Sequence, residues 1–378
     1  MPDVLIFGDT IRNPELRHEV PLAVPDGFLY VEHDGARYVV ISSLELARVR
    51  ELEGVEVIPL EEVGEHELIE QGVPREEIPT QASLRACQKL GVREAVTPPT
   101  FPLELADLLR ANGIQVTADR RVFAGRRRVK NEVEIEGIRR AQRACEAALD
   151  AVREMLRSAD ASNSVLVLDG EPLTSERLKR AIGDVFIAHD MTSDEFIVSH
   201  GPQSAVGHEM GSGPMAPNEP IVVDIWPRDR KTACYADMTR TYVVGEPPAE
   251  LVEYHGLVLE ALQRAIDSVR PGVGGRDLFV QTCELFQEHG YPTGLTKEPD
   301  QVLEEGFFHG LGHGVGLEVH EEPNMGIASR ANLVAGDVVT VEPGLYRPGF
   351  GGCRLEDLVL VTDDGAVNLT EYPYDLTP

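Results

Sequence analysis

Four acidic side chains and one histidine in the second half of the chain stand in or beside short apolar runs. They are Asp224, Asp237, His313, Glu342 and Glu356. An ionised carboxylate in apolar surroundings is unstable without a compensating cation, and it would otherwise change its protonation state. If these residues converge on one place, their charge therefore implies a bound metal.

The types of donor atom restrict which metals would fit. Carboxylate oxygens with a single imidazole and no thiolate favour Mn²⁺, Co²⁺, Fe²⁺ or Zn²⁺ over copper or a structural zinc site. Four acids exceed the needs of one ion. Two divalent ions about 3.5 to 4 Å apart would neutralise the acids and create a nucleophile at neutral pH.

The acids occur in two similar segments. Residues 220–224 and 337–342 each present a turn, an apolar strand and then an acid, and a second acid follows 13 or 14 residues later in another strand. We interpret these segments as two related hairpins, one with Asp224 and Asp237 and the other with Glu342 and Glu356. Hairpins facing each other across a pseudo-twofold axis would bring the four carboxylates to one point.

At these residues the chain closely resembles the pita-bread metallopeptidases, the family of methionine aminopeptidase, aminopeptidase P and prolidase. The resemblance covers roughly residues 131–378 and rests on five local sequences, which are Ile221-Val222-Val223-Asp224-Ile225, Tyr235-Ala236-Asp237-Met238-Thr239-Arg240, Gly312-His313-Gly314, Val339-Thr340-Val341-Glu342-Pro343-Gly344 and Arg354-Leu355-Glu356-Asp357. It implies two bound divalent ions, with Mn²⁺ expected ahead of Co²⁺, Fe²⁺ or Zn²⁺ as the metal. It also implies that Asp237 and Glu356 bridge the ions, Asp224 chelates one, and His313 with Glu342 completes the other.

Three further histidines define the reaction more closely. His309 precedes His313 by four residues, a spacing that would share a metal on a helix, but the alternating glycines of residues 310–316 disfavour a helix there. His309 is therefore predicted to be a substrate-side group. By resemblance, His320 supports the tetrahedral intermediate or shuttles a proton, and His208 lies near the scissile bond. Each would be a packed or surface histidine if it stood outside its motif.

Other residues near the acids have two interpretations each. Arg354 is predicted to orient a metal-binding carboxylate and to contribute to substrate binding, with a surface arginine as the alternative. Glu342 is predicted to carry a proton from the attacking water to the leaving amine as well as to bind metal. Each acid alone would be read as a turn cap or an ion pair, but five matches in order argue against that reading. Cys234 and Cys353 are predicted to be small buried residues, not nucleophiles.

Composition limits the class of protein. The chain has 378 residues, 42% hydrophobic and 26% charged residues, and a formal charge of −29, which favours a globular protein of two domains and disfavours nucleic-acid or anionic-membrane partners. The N-terminus turns polar before a signal-peptide apolar region develops, and no apolar run approaches membrane-spanning length. Five scattered cysteines are typical of reduced thiols. These features predict a cytoplasmic location.

The chain is predicted to be α+β, with a boundary near residue 128. Residues 1–124 read as a small α/β domain of the creatinase or prolidase type, residues 125–130 as a basic linker, and residues 131–378 as a catalytic pita-bread domain with a mainly antiparallel sheet. Helices are predicted over residues 131–156, 175–188, 249–269 and 275–289. Strands are predicted over residues 195–199, 220–226, 239–244, 316–320, 337–342 and 354–362.

The resemblance and the extra N-terminal domain together predict hydrolysis of the peptide bond that precedes proline. The leading expectation is an Xaa-Pro dipeptidase, and the alternative is an aminopeptidase P that acts on longer peptides. A metal-free creatinase-like hydrolase or a non-catalytic peptide-binding protein would share the fold, although such relatives lose ligands that this chain retains. The family also implies a homodimer. One departure is a longer connection between Asp224 and Asp237, in which residues 227–231 are predicted to form an extended hairpin tip.

Overall fold

The structure is a computed structural model that describes residues 2–378. The chain divides into two compact units, one that ends at Arg127 and one that runs from Arg128 to Pro378. The larger unit contains every residue that the sequence singled out for metal binding or catalysis. Each unit has its own hydrophobic core, as expected for a chain of this length.

The N-terminal unit is built on one six-stranded sheet in the order β4-β3-β2-β1-β5-β6. Its strands are β1 (Asp3–Gly8), β2 (Phe28–His33), β3 (Ala36–Ile41), β4 (Glu56–Pro59), β5 (Glu94–Thr97) and β6 (Gln115–Ala118). Its helices are α1 (Pro14–Glu19), α2 (Leu46–Val49), α3 (Glu65–Glu70), α4 (Ile78–Leu90), α5 (Leu103–Ala111) and α6 (Arg120–Arg128). The central strands are antiparallel, whereas β4, β5 and β6 pair in parallel with their neighbours. The unit therefore combines helices with a mixed sheet, which is consistent with the small α/β domain predicted for residues 1–124.

The C-terminal unit contains four long helices. They are α7 (Glu132–Arg157), α8 (Ser175–Ala188), α9 (Ala249–Ser268) and α10 (Gly275–Glu288). Asn131 caps α7 with a reciprocal capping box, because its side chain accepts from the Glu134 N–H while the Glu134 side chain accepts from the Asn131 N–H. All four helices were predicted to within a few residues.

Short strands make up the rest of the C-terminal unit. They are β7 (Val167–Leu168), β8 (Glu171–Pro172), β9 (Met191–Thr192), β10 (Ile197–His200), β11 (Ile221–Ile225), β12 (Arg228–Asp229), β13 (Met238–Tyr242), β14 (Gly312–Gly314), β15 (Glu321–Met325), β16 (Val338–Val341), β17 (Gly344–Arg347), β18 (Gly351–Arg354), β19 (Asp357–Val361) and β20 (Ala366–Asn368). One sheet has the order β10-β11-β13 and another has the order β15-β14-β16-β19-β20, and all of their pairings are antiparallel.

Each of the two sheets has its own layer of helices. The core beside β10, β11 and β13 is filled by α7 and α8, through residues such as Ile138, Leu149 and Ile182. The core beside β16 and β19 is filled by α9 and α10, through residues such as Leu262 and Phe286. The two acid-bearing hairpins are therefore each backed by a helix pair, which fixes the strand ends where the acids lie.

Two strand predictions were wrong. Residues 316–320 form a loop, in which the Gly316 N–H donates to the carbonyl of Glu318, and the strand begins only at Glu321. The run 354–362 is not one strand, because the chain leaves β18 at Arg354 and enters β19 at Asp357. Between them, the Glu356 N–H donates to the carbonyl of Thr239 in β13.

The basic run near the unit boundary is used for ion pairs. Residues 125–128 of the predicted linker are the last turn of α6. Arg126 pairs with Glu19 and Glu32, and Arg128 pairs with Asp337. These carboxylates balance the charges of the two arginines. Among the described residues, every helix is too short or too polar to cross a bilayer.

Candidate metal centre

The ends of four strands position the four acids. Asp224 is in β11, opposite Thr239 of β13, and Asp237 immediately precedes β13. Glu342 immediately follows β16, and Glu356 immediately precedes β19, which pairs with β16. The imidazole comes from β14, which lies between β15 and β16 in the second sheet, since His313 is the middle residue of that strand.

Three of the five residues form a tight cluster. Asp237, His313 and Glu356 each offer a ligand atom, and these atoms all lie within 4.8 Å of one another. Asp237 and Glu356 are almost fully buried, with relative exposures of 5% and 2%. Glu342 adjoins the cluster, because its Oε1 lies 3.5 Å from Nε2 of His313. The sequence predicted these neighbours although 119 positions, from 237 to 356, separate them.

Asp224 is held at the edge of the cluster by an arginine. Nη2 of Arg354 donates to Oδ2 of Asp224 at 2.5 Å, and the Arg354 side chain is only 6% exposed. Nη1 of the same guanidinium donates to the hydroxyl of Tyr346 at 2.9 Å. Arg354 is therefore a buried positioning group, as one of the two sequence interpretations expected, and the surface alternative is wrong.

The carboxylates raise one another's pKa. Burial raises the pKa of Asp237 well above its usual range, and the charges of Asp224 and Glu342 raise it further. Burial and the neighbouring carboxylates likewise raise the pKa of Glu356. Burial raises the pKa of Glu342 to about 8, although the Arg354 charge opposes the shift. These acids can all ionise near neutral pH only if additional positive charge lies among them.

His313 presents a free nitrogen to the acids. Its Nδ1–H donates to the carbonyl of Gly314 at 3.1 Å, so we assign the proton to Nδ1, which leaves an unprotonated Nε2, able to bind a metal, on the side of Asp237 and Glu342. Burial and the nearby His320 lower the pKa of His313 to about 4, which keeps the ring neutral. The rings of His313 and His320 are 4.2 Å apart between centroids. His320 is exposed at the end of the loop before β15.

His309 is not in the acid cluster. Its Nδ1–H donates to the carbonyl of Gly310 at 2.7 Å, and its Nε2 accepts from the hydroxyl of Tyr346 at 2.9 Å. Burial lowers the pKa of His309 to about 3, which agrees with this neutral form. A chain of hydrogen bonds thus runs from Asp224 through Arg354 and Tyr346 to His309. His208 is exposed on the loop between β10 and β11, and it acts electrostatically on both His309 and His320.

Three residues that sequence reasoning missed complete the arrangement. Oγ1 of Thr239 donates to Oε2 of Glu356 at 2.7 Å. Oγ1 of Thr340 accepts from the His313 N–H at 3.1 Å and is also bonded to Glu342. The third is Tyr346, which links Arg354 to His309. Each threonine lies in a strand two positions from an acid, Thr239 after Asp237 and Thr340 before Glu342, and a buried hydroxyl so close to a buried carboxylate was a signal that could have been used.

Two other expectations concern residues around the site. Cys234 and Cys353 are buried free cysteines whose pKa burial raises to about 12, so they are protonated thiols and the prediction of inert residues is confirmed. The segment 227–231 lies in a short hairpin, as predicted, because the Asp229 N–H donates to the carbonyl of Cys234 and the Ala236 N–H donates to the carbonyl of Pro227. Its β12 pairs with β9, and Asp229 is buried, where it accepts from Arg140 and Thr232.

The donor set fits a divalent cation. Oδ1 of Asp237 is a buried carboxylate oxygen without a hydrogen-bond partner, in a place where an unsatisfied charged atom is costly. Around it are carboxylate oxygens and one neutral imidazole nitrogen, the ligands that Mn²⁺, Co²⁺, Fe²⁺ and Zn²⁺ accept. The fit is therefore supported by a buried carboxylate oxygen that the protein itself leaves without a partner.

Comparison with protein families identifies the chain. The model of metallopeptidase family M24 matches residues 136–363, a region that contains every strand bearing an acid of the cluster. The chain belongs to metallopeptidase family M24. The protein is therefore a peptidase that uses divalent metal.

Curated relatives and solved structures agree with this assignment. The probable dipeptidase PepE of Mycobacterium tuberculosis is 31% identical over 287 residues, which are 75% of this chain and 70% of the relative. The Xaa-Pro dipeptidase of Pyrococcus horikoshii is 31% identical over 299 residues, which are 78% of this chain and 76% of the relative. The solved Xaa-Pro dipeptidase from Bacillus anthracis has a TM-score of 0.78 at 22% identity, over 100% of this chain and 94% of that chain. The predicted α+β pita-bread fold with its smaller N-terminal α/β part is confirmed.

Proposed function

We propose that this M24 peptidase hydrolyses the peptide bond that precedes proline, with Xaa-Pro dipeptides as its substrates. The observation that carries the proposal is the convergence of Asp237, His313 and Glu356, in which a buried carboxylate oxygen has no partner within the protein. The specificity for proline is supported by the relatives, since the Pyrococcus horikoshii protein that covers 78% of this chain is an Xaa-Pro dipeptidase.

Five residues would hold two divalent ions, for which we propose Mn²⁺ first and Co²⁺, Fe²⁺ or Zn²⁺ as alternatives. Asp237 and Glu356 are central to the cluster, His313 and Glu342 lie on one side, and Asp224 lies on the side of Arg354. When bound, the ions would polarise the scissile carbonyl and lower the pKa of the attacking water. The charge of the ions would also reverse the mutual pKa elevation of the acids.

The protein's own side chains would supply the remaining steps. Glu342 would take the proton from the attacking water and pass it to the prolyl nitrogen as that nitrogen leaves. His320 is exposed beside His313, and burial together with the His208 charge lowers its pKa. Its neutral ring can donate an N–H to the carbonyl oxygen as negative charge develops there. His208 and His309 would orient the substrate, and Arg354 would hold Asp224 in place.

A second candidate function is that of an aminopeptidase P, which removes the first residue from longer Xaa-Pro peptides. A dipeptidase needs a cation for the free carboxylate of its substrate, and Arg347 and Arg354 are the two arginines in the segment between Glu342 and Glu356. Arg347 makes two bonds of 2.7 Å to Glu250, and Arg354 is bonded to Asp224 and Tyr346. Since both arginines already have partners, this observation favours substrates that continue beyond proline.

One assay tests both candidates. Ala-Pro and Ala-Pro-Ala are supplied in parallel to protein whose metal content is measured on the same sample. We expect hydrolysis that chelation abolishes and Mn²⁺ restores, and we expect Glu356→Ala to lose both metal and turnover. An exposed acid provides the control, because Glu304→Ala should change neither quantity. Hydrolysis that continues unchanged in chelator would contradict the proposal.

We further propose that the protein is a cytoplasmic homodimer. The five free, buried cysteines suit a reducing compartment. The dimer is supported only by the family, and light scattering of the purified protein tests it.

A further inference from the structure

The loop that carries His208 is folded tightly onto the strand before it. This loop, residues 201–220, connects β10 to β11 and begins with a single 3₁₀ turn. The Val198 N–H donates to the carbonyl of Met210 at 3.0 Å. Gly211 has a φ of +79°, and a Cβ there would lie 1.8 Å from the carbonyl oxygen of Val198, so only glycine allows this approach. The path of the loop directly after His208 is thus fixed by backbone contacts.

His200, the last residue of β10, contacts two residues of this loop with its side chain. Its Nδ1 lies 2.7 Å from Oε1 of Glu219, and its Nε2 lies 3.1 Å from the carbonyl oxygen of Ser212. The histidine side chain is only 10% exposed. Both partners are acceptors that have no proton to give. Both bonds can therefore form only when both ring nitrogens carry hydrogen, which makes the ring an imidazolium.

The acceptors of His200 are themselves fixed. The carbonyl of Ser212 also accepts from the side-chain amide of Gln203 at 3.0 Å, while the Ser212 N–H donates to the same amide at 3.1 Å. The Glu219 carboxylate accepts from the Ala216 N–H at 2.8 Å. Ser212 and Glu219 are on the return half of the loop, after His208. His200 therefore joins the strand before His208 to the segment after it.

The charges around His200 come from the loop and from helix α8. Glu219 is the acid in contact, Glu176 of α8 also favours the positive ring, and Lys179 of α8 uses its ammonium to donate to the carbonyl of Gly211. Across the sheet, His200 is opposite the apolar Ile221 of β11. Burial alone would lower the pKa of His200, but the hydrogen bond and charge of Glu219, with the Ser212 carbonyl, outweigh it and raise the pKa above the usual 6.5.

We propose that His200 is a positioning residue whose doubly protonated ring donates hydrogen bonds to both Ser212 and Glu219 and so holds His208 in place for substrate. We call this pair of hydrogen bonds the clasp. The inference deepens the proposed function and rests on it for the role of His208. Loss of the proton leaves a lone pair facing the Ser212 carbonyl or the Glu219 carboxylate, and that contact becomes repulsive. Because the folded pKa is raised, the clasp is complete at low pH and is lost as pH rises through the folded value.

The test compares His200→Gln with the wild-type metal-loaded enzyme. The glutamine cannot donate to both acceptors, so we expect faster amide hydrogen exchange across residues 206–213 and a KM for Xaa-Pro peptide raised about five- to tenfold at pH 6. The change in kcat should be smaller, and the metal content should be unchanged. His189→Gln is the matched control, because His189 is exposed beyond the end of α8, and it should alter none of these quantities.

If His200→Gln does not fold, the protonation state of His200 in wild-type protein tests the inference instead. In wild-type protein, ¹⁵N chemical shifts should show both nitrogens of His200 protonated at pH 6, and Glu219→Gln should lower the pKa of the ring. A neutral His200 ring at pH 6 would overturn the inference, as would unchanged exchange and KM in His200→Gln. If no Xaa-Pro peptide is cleaved but the titration and exchange behave as expected, the clasp stands and the proposed function fails.

Discussion

Arg354 donates a 2.5 Å hydrogen bond to Asp224, and this contact joins the two acid-bearing hairpins. Asp224 is in β11 of the first sheet, whereas Arg354 ends β18, which follows β16 and Glu342 in the chain. The guanidinium is a fixed positive charge among converging carboxylates. It lowers the pKa of Asp237 and Glu342 against the effect of burial, so it stabilises the acid cluster before any metal binds.

Replacing this arginine should damage both stability and metal binding. Arg354→Met leaves Asp224 in a buried site without its cation, and breaking a buried ion pair in this way costs about 3 to 5 kcal/mol. We expect a lower free energy of unfolding and a lower metal content per subunit, measured by denaturant titration and elemental analysis. Arg347→Met is the control, because the Arg347–Glu250 pair is 43% and 37% exposed and such pairs contribute about 1 kcal/mol or less.

If Arg354→Met retains full metal and loses no more stability than Arg347→Met, the positioning role of Arg354 is wrong.

The metal-free protein should lose stability as pH rises. Glu342 has a pKa raised from 4.5 to about 8, and the pKa of Asp237 and Glu356 is raised as well. The folded state then binds more protons than the unfolded state between about pH 4.5 and 8, so the free energy of unfolding falls as pH rises through that window. Bound cations would remove this effect, because they favour the ionised carboxylates.

The measurement is the melting temperature of chelated and Mn²⁺-loaded protein between pH 5 and 9. The two curves should separate progressively toward high pH, with the metal-loaded protein more stable. Glu342→Gln has no titrating group at this position, so it should flatten the curve of the chelated protein. Parallel curves for the chelated and loaded forms would contradict the clustering of the acids.

Much of the centre could be predicted because its information is local. Each acid follows or precedes an apolar run, and those runs became β11, β13, β16 and β19. Residues 271–274, Pro-Gly-Val-Gly, lie between the end of α9 and the start of α10 and are a local signal for both boundaries. Local patterns of this kind depend on backbone preferences and on burial of one face, which a single sequence does carry.

Several features that the sequence did not predict depend on distant partners. The run 354–362 breaks because the Glu356 N–H bonds to Thr239, 117 residues earlier, instead of continuing one ladder. The burial of Asp229 in the hairpin 227–236 was likewise not predictable, because Arg140, 89 residues away from Asp229, binds that carboxylate. No local pattern contains such pairings. The same is true of Thr239, Thr340 and Tyr346, whose roles depend only on which buried groups they meet.

Tyr346 should matter for catalysis more than for metal binding. Tyr346→Phe removes the hydroxyl that donates to His309 and accepts from Arg354, so two buried polar groups each lose a partner. Such a loss costs about 1 to 3 kcal/mol, and we expect kcat/KM to fall about tenfold or more while metal content is retained. Tyr291→Phe is the control, because the Tyr291 hydroxyl bonds to Glu253 at the surface.

Steady-state kinetics and elemental analysis on the same preparation check this outcome. Loss of metal in Tyr346→Phe would show that the hydroxyl acts on Asp224 through Arg354 and not on the substrate side through His309.

A buried ion pair next to His320 offers a further test. Lys130 and Glu321 pair with side-chain exposures of only 2% and 5%, and Glu321 directly follows His320. The pair packs against Gly316, where a Cβ would lie 2.6 Å from the Glu321 carboxylate and 2.7 Å from Lys130. The ion pair therefore stabilises the conformation of the loop 316–320, which carries His320. Lys130→Met leaves a buried carboxylate and should cost about 3 to 5 kcal/mol, with a lower kcat because His320 is displaced.

The double variant Lys130→Met/Glu321→Leu separates stability from positioning. Replacing both charges by apolar side chains of similar volume is often neutral, so the free energy of unfolding should recover toward the wild-type value. The kcat should recover less, since the bond that fixes the start of β15 is still absent. Lys297→Met, at an exposed lysine, is the matched control for loss of one positive charge. A double variant no more stable than Lys130→Met would show that the two charges are not coupled, and full recovery of kcat would show that His320 does not depend on the pair for its position.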